Sequence, residues 1–212
     1  MGAIMESVFC VAYLVITAVL GLLLLKQGKR LFAALTLVLV CGDAFHLVPR
    51  IYGNLTGTLG EQTAALGFGT LVTSITMTVF YVMLYHFFAN RYGKPAKSRL
   101  TGVVYCLAGI RIALCAFPQN AWLTGGSLTW GVMRNIPFVI LGALIVVLLF
   151  KWARHERHFK YAWLAVLLSF AFYVPVVLFA DAYPIVGMLM LPKTACYVWL
   201  IVMGYRAGAK AS

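Results

Sequence analysis

A chain of 212 residues that is 63% hydrophobic and only 10% charged lacks the polar surface that a soluble domain of this length needs. Its mean hydropathy of +0.95 places it among polytopic membrane proteins. The formal net charge of +12 would suit nucleic acid, but thirteen of the 17 basic residues fall in alternate loops, so the charge reads as an orientation signal and not as a nucleic-acid surface.

A helix needs about 20 apolar residues to cross a hydrocarbon core roughly 30 Å thick. Runs of this kind predict seven transmembrane segments, at 5–25, 31–52, 66–89, 100–117, 133–152, 160–180 and 184–205, making one all-α integral-membrane domain over residues 1–212. The first run has no basic patch before it and no small-residue cleavage site after it, so it reads as a retained helix rather than a signal peptide.

Segment 1 offers Glu6, Cys10, Tyr13 and Thr17, and the loop after it carries Lys26, Lys29 and Arg30. Segment 2 holds Thr36, Asp43, His46 and Arg50 at steps of seven, three and four, which is one helical stripe. Segment 3 repeats the pattern with Thr70, Ser74, Tyr81 and Tyr85, and Thr73 adjoins them. A second basic loop follows, with Arg91, Lys94, Lys97 and Arg99. Segment 4 carries Arg111 in an apolar run; Trp122 and Trp130 beyond it match an interfacial aromatic belt. Segment 5 opens with Arg134 and Asn135 and leads into Lys151, Arg154, Arg157 and Lys160, where Trp152 and Trp163 mark the other interface. Tyr173 on segment 6, and Lys193 and Tyr197 on segment 7, complete the polar set; Arg206 and Lys210 close the chain.

The basic loops all lie on one side. The positive-inside rule makes that side cytoplasmic, with the N-terminus outside and the C-terminus inside a cell membrane. Four basic residues are then left over, Arg50, Arg111, Arg134 and Lys193, against the acids Glu6, Asp43, Glu61 and Asp181. At 1.5 Å per residue, Asp43, Arg111 and Lys193 each lie about 15–18 Å into their segments, near the bilayer middle. An ion facing hydrocarbon costs at least ~2.5–3.5 kcal/mol, so these groups face inward, either pairing with one another or lining a polar pocket. Pairing fits the rim charges, above all Glu6 and Asp181. The pocket fits the deeper ones.

Two pairs of strings suggest an internal parallel repeat in a three-plus-one-plus-three arrangement: TVFYVML (78–84) with TACYVWL (194–200), and AFHLVP (44–49) with AFYVP (171–175). The alignment pairs His46 with Tyr173. In outline this is similar to sugar transporters of the SWEET type, although neither triplet holds that family's proline–glutamine signature and Pro118–Gln119 follows segment 4 instead. Lys193 in mid-segment 7, with FYVPVV on segment 6, resembles the retinal-binding pattern of microbial rhodopsins. The arginine–aspartate counterion pattern expected on segment 3 is absent, and Asp43 would have to replace it. Pro49, Pro137, Pro175 and Pro192 predict kinks.

Three chemistries stay open. A pocket of Asp43, His46, Arg50, Thr70, Ser74, Arg111, Arg134, Asn135, Tyr173, Lys193 and Tyr197 suits a small anionic, zwitterionic or amphiphilic ligand in a transporter or receptor, because arginine forks clamp carboxylate and phosphate. Asp43 and His46 at i, i+3 could instead be the acid–base pair of an enzyme acting on a lipid. A retinal-type chromophore on Lys193 is the third. The five cysteines form no CxxC pair and no metal-ligand spacing, so no metal site is expected. Membrane lipid and a small-molecule ligand are the expected partners; the sequence fixes neither a cofactor nor an oligomeric state.

Overall fold

The computed structural model of the protein describes residues 2–95, 97–180 and 182–207, so the expectations placed on Asp181 and Lys210 lie outside the described residues. Among the described residues the chain is all helical: α1 (Gly2–Lys26), α2 (Arg30–Thr56), α3 (Thr63–Arg91), α4 (Arg99–Ala116), α5 (Leu128–Ala153), α6 (Ala162–Phe179) and α7 (Met190–Arg206). With short 3-10 turns extending two of them, seven helices are long and apolar enough to cross a membrane.

The helix ends depart from the sequence reading at three places. α2 runs past Pro49 to Thr56, where Gly57 takes a φ of 74° and stops it. A proline forfeits one backbone bond, and a 27-residue helix held on two sides tolerates that loss. α5 begins at Leu128, five residues earlier than predicted, which moves Pro137 into the helix interior. α7 begins at Met190, because Pro184–Leu189 winds as a 3-10 turn.

Each helix packs against the next in sequence, α7 closes on α1, and α3 also meets α5. α2 therefore stands between α1 and α3, and α6 between α5 and α7. Small residues set the closest approaches. A methyl group built on Gly69 would lie 2.3 Å from the Phe45 carbonyl oxygen, and one on Gly42 1.9 Å from Thr76 Oγ1. Small residues let helix backbones come this close, and close van der Waals packing replaces the hydrophobic drive that lipid does not supply. Gly69→Ala must push α3 off α2 backbone, and overpacking of this kind costs about 1–3 kcal/mol. Gly102→Ala, which meets nothing within 4 Å, is the control. Thermal unfolding in detergent is expected to show a lowered midpoint for the first and an unchanged one for the second.

At one end of the bundle the α1–α2, α3–α4 and α5–α6 connections meet. Lys29 Nζ donates to the carbonyls of Gly204 at 3.1 Å and Tyr205 at 2.7 Å, fastening the start of α2 to the end of α7. Arg91 forms an ion pair with Glu156, which also accepts from the Tyr92 hydroxyl. Above this end lies an aromatic core: Tyr81 Oη sits 3.2 Å from Tyr197 Oη and 3.4 Å from Ser169 Oγ, with Phe80, Phe138 and Phe170 around them. Tyr81 and Tyr197 are the tyrosines of the two similar strings, and they meet hydroxyl to hydroxyl. Past these rings, toward the α2–α3, α4–α5 and α6–α7 connections, the bundle opens.

Candidate functional site

A chamber of about 610 Å³ occupies that open half, within the usual range for ligand pockets. α2 contributes His46 and Arg50, α3 Thr70, Thr73, Ser74 and Met77, α4 Arg111, α5 Arg134, Asn135 and Phe138, α6 Tyr173 and α7 Lys193. The loop between α4 and α5 covers it with Trp122 and residues 125–127. No carboxylate is among the described residues that line it, whereas four cationic side chains are.

Arg111 is the deepest of the four. It is 2% exposed, its guanidinium lies over the Phe138 ring at 3.2 Å from the centroid, and Nη2 reaches Asn135 Oδ1 at 3.5 Å. Its Nε and Nη1 are buried with no hydrogen-bond partner among the described residues. Stacking on an aromatic face explains how the cation is held. It does not satisfy the N–H groups, and buried polar groups of this kind are normally paired. Asn135 is fixed beside it: Nδ2 donates to the Gly131 carbonyl at 2.7 Å, and Oδ1 accepts from the Tyr173 hydroxyl at 2.8 Å.

Arg134 stands nearer the loop. It donates to Asn120 Oδ1 at 2.8 Å and stacks on Trp122 at 4.3 Å. Asn120 in turn donates to the carbonyls of Leu114 and Phe117, and the Trp122 indole donates to that of Cys115, so the end of α4 builds the seat for this arginine. Gly67 lets the loop settle onto α3, since a methyl there would lie 1.4 Å from the Trp122 carbonyl oxygen. Lys193 Nζ lies 4.8 Å from the Tyr173 ring centroid and 5.6 Å from that of Tyr197, without an acceptor among the described residues.

A second cavity of about 310 Å³ adjoins the first between α1, α2 and α7. His46, Arg50, Thr73, Gly187, Met190 and Lys193 border both. Two acids are on this side. Glu6 forms an ion pair with Arg50, and Asp43 accepts from the Tyr13 hydroxyl at 2.6 Å.

The chamber thus gathers nine of the eleven candidate ligand residues, on six helices. Asp43 lies instead in the smaller cavity, and Tyr197 borders neither, its hydroxyl being taken up by Tyr81 and Ser169. Asp43 and His46 do not bond to each other: His46 Nδ1 faces the Leu66 carbonyl at 3.3 Å and Thr70 Oγ1 at 3.2 Å. Ser74 donates to the Thr70 carbonyl at 2.7 Å. Among the described residues no three His, Cys, Asp or Glu side chains gather as metal ligands would. The sequence reading missed Asn120 and Phe138, and took Trp122 for an interfacial residue. A neutral amide in a loop and a phenylalanine in an apolar run carry no charge to flag them. No known protein family matches the chain, and no curated protein or solved structure shows significant similarity to it.

Proposed function

We propose that the protein is a plasma-membrane carrier or receptor for a small anion, which it binds in the larger chamber from the extracytoplasmic side. The observation that carries this reading is Arg111, a buried guanidinium that has, among the described residues, two unpartnered nitrogens and no acid in a chamber lined by four cationic side chains. A buried N–H without a partner costs free energy that a ligand oxygen would recover, and a bond to an ion is worth about 1.5–3 kcal/mol. Transient pairing with a carboxylate or phosphate oxygen answers both needs. The aromatic core around Tyr81 closes the far end of the chamber, as a one-sided binding site requires.

Sidedness follows from the charges: the basic loops after α1, α3 and α5 put the opposite end, and with it the chamber mouth, outside the cell. In intact cells an impermeant thiol reagent is expected to label Ser127→Cys, and to label Lys97→Cys only after permeabilisation, in a background lacking the native cysteines. The reverse pattern would turn the chamber toward the cytoplasm.

The direct test is a thermal-shift panel on purified protein with carboxylates, phosphate monoesters, neutral sugars and amines. A ligand present at 100 times its Kd adds about 2.7 kcal/mol of stability. Anions alone are expected to stabilise, less so at high salt; stabilisation by amines or sugars in their place sinks the reading. No observation favours the enzyme reading over this one, because Asp43 and His46 are each bonded elsewhere.

A further inference from the structure

The two cavities together say more about the ligand than either does alone. The cations divide into two kinds. Arg50 is paired with Glu6, and Lys193 shares the smaller cavity with Asp43. Arg111 and Arg134 have no acid beside them among the described residues, and their neighbours are the neutral amides Asn135 and Asn120. Two uncompensated positive charges on the neighbouring helices α4 and α5 of one chamber match two negative charges on one group. A phosphate monoester carries nearly that at neutral pH and offers three acceptor oxygens.

The smaller cavity is mainly apolar where it leaves the shared wall. Phe9, Leu47, Met188 and Leu191 line it beside Glu6, Tyr13 and Asp43, and its rim is formed by Met5, 70% exposed, and Met188, 56% exposed. It lies at the start of α7, where the 3-10 turn over Pro184–Leu189 replaces helix alongside α1. The same face of the bundle bears Ile4 and Val8, both more than 60% exposed, which is a lipid-facing surface. A mainly apolar cavity thus adjoins the cationic chamber on the side of α1 that bears these exposed apolar residues. Its volume of about 310 Å³ holds on the order of ten methylene-sized groups, taking roughly 30 Å³ each, which is one chain and not two.

We infer that the ligand is a single-chain phosphate monoester drawn from the outer leaflet, its phosphate between Arg111 and Arg134 and its alkyl chain in the cavity between α1 and α7. This rests on the anion-binding reading above and adds the chain. Methionine suits the cavity, since its flexible side chain moulds to chains of different length.

Protein reconstituted in nanodiscs would be titrated with dodecyl phosphate, methyl phosphate and dodecanol. Dodecyl phosphate is expected to bind at least about a hundredfold more tightly than methyl phosphate, because each buried methylene adds affinity. Leu191→Trp, which fills the cavity, is expected to erase that difference and leave methyl phosphate binding unchanged; Leu47→Phe provides a second blocked variant if the first misfolds. A dodecyl phosphate with a diazirine at its chain end is expected to label Phe9 or Met188 in wild type and neither in Arg111→Gln. Equal affinities for methyl and dodecyl phosphate overturn the chain site and leave the anion site standing. Failure of both phosphates overturns the anion site as well, and dodecanol binding as tightly as dodecyl phosphate overturns the inference by showing plain apolar partitioning.

Discussion

Arg111→Met is expected to make the empty protein more stable and the binding site useless. The two effects share one cause. In wild type a guanidinium that is 2% exposed leaves Nε and Nη1 without partners among the described residues. Replacing buried ions by apolar side chains of similar volume is neutral or stabilising by roughly 1–4 kcal/mol. The stacking on Phe138 opposes that gain by up to about 2 kcal/mol, part of which the methionine sulfur recovers against the same ring. A net gain near 1 kcal/mol raises the melting midpoint by about 2–4 °C for a chain of this size. Binding moves the other way: loss of the ionic hydrogen bonds to the ligand costs about 1.5–3 kcal/mol, or roughly 10- to 100-fold in affinity. Arg111→Lys keeps the charge and loses the planar fork, so its affinity is expected to fall between the two. Differential scanning fluorimetry with and without an anion reads both quantities in one experiment. A variant that is less stable when empty and binds normally would make Arg111 a structural residue.

Such a trade between stability and binding explains how far the sequence could be read. The seven helices were legible because apolar runs of membrane length have few other meanings, and the chamber was legible because ions in such runs have few other places to face. Arg50, Arg111, Arg134 and Lys193 all reach it. Depth along a helix was a poorer guide to which groups meet. Asp43, Arg111 and Lys193 share a level, yet Asp43 points to the α1 side and bonds to Tyr13, while Arg111 lies across the chamber against α5. Spacing gives the face of a helix; the rotation of that face toward one neighbour or another is fixed by packing, here by close contacts such as Gly69 on Phe45 and Gly42 on Thr76. Tyr197 fell on the predicted polar stripe for a different reason: its hydroxyl satisfies Tyr81 and Ser169 inside the core. A buried hydroxyl that bonds within the protein and one that waits for a ligand look the same in sequence.

Asp43→Asn separates binding from movement. Asp43 on α2 has no ion-pair partner among the described residues, and it shares the smaller cavity with Lys193. Asparagine keeps an oxygen for the Tyr13 hydroxyl, which donates at 2.6 Å, so the local packing survives. Two like charges roughly 10 Å apart at an effective dielectric of about 20 repel by ~1.7 kcal/mol, so removing this one is expected to tighten anion binding by up to about tenfold. The amide cannot take up or release a proton. In a carrier that moves its anion with protons, a titratable group beside the site is the element that senses them. Proteoliposomes holding Asp43→Asn are therefore expected to bind the anion more tightly while losing uptake driven by a pH gradient. Retained uptake with its pH dependence intact would remove Asp43 from coupling. Tighter binding with no uptake in either protein would assign the chain to the receptors, because the chamber would then hold its anion without ever passing it through the ring around Tyr81.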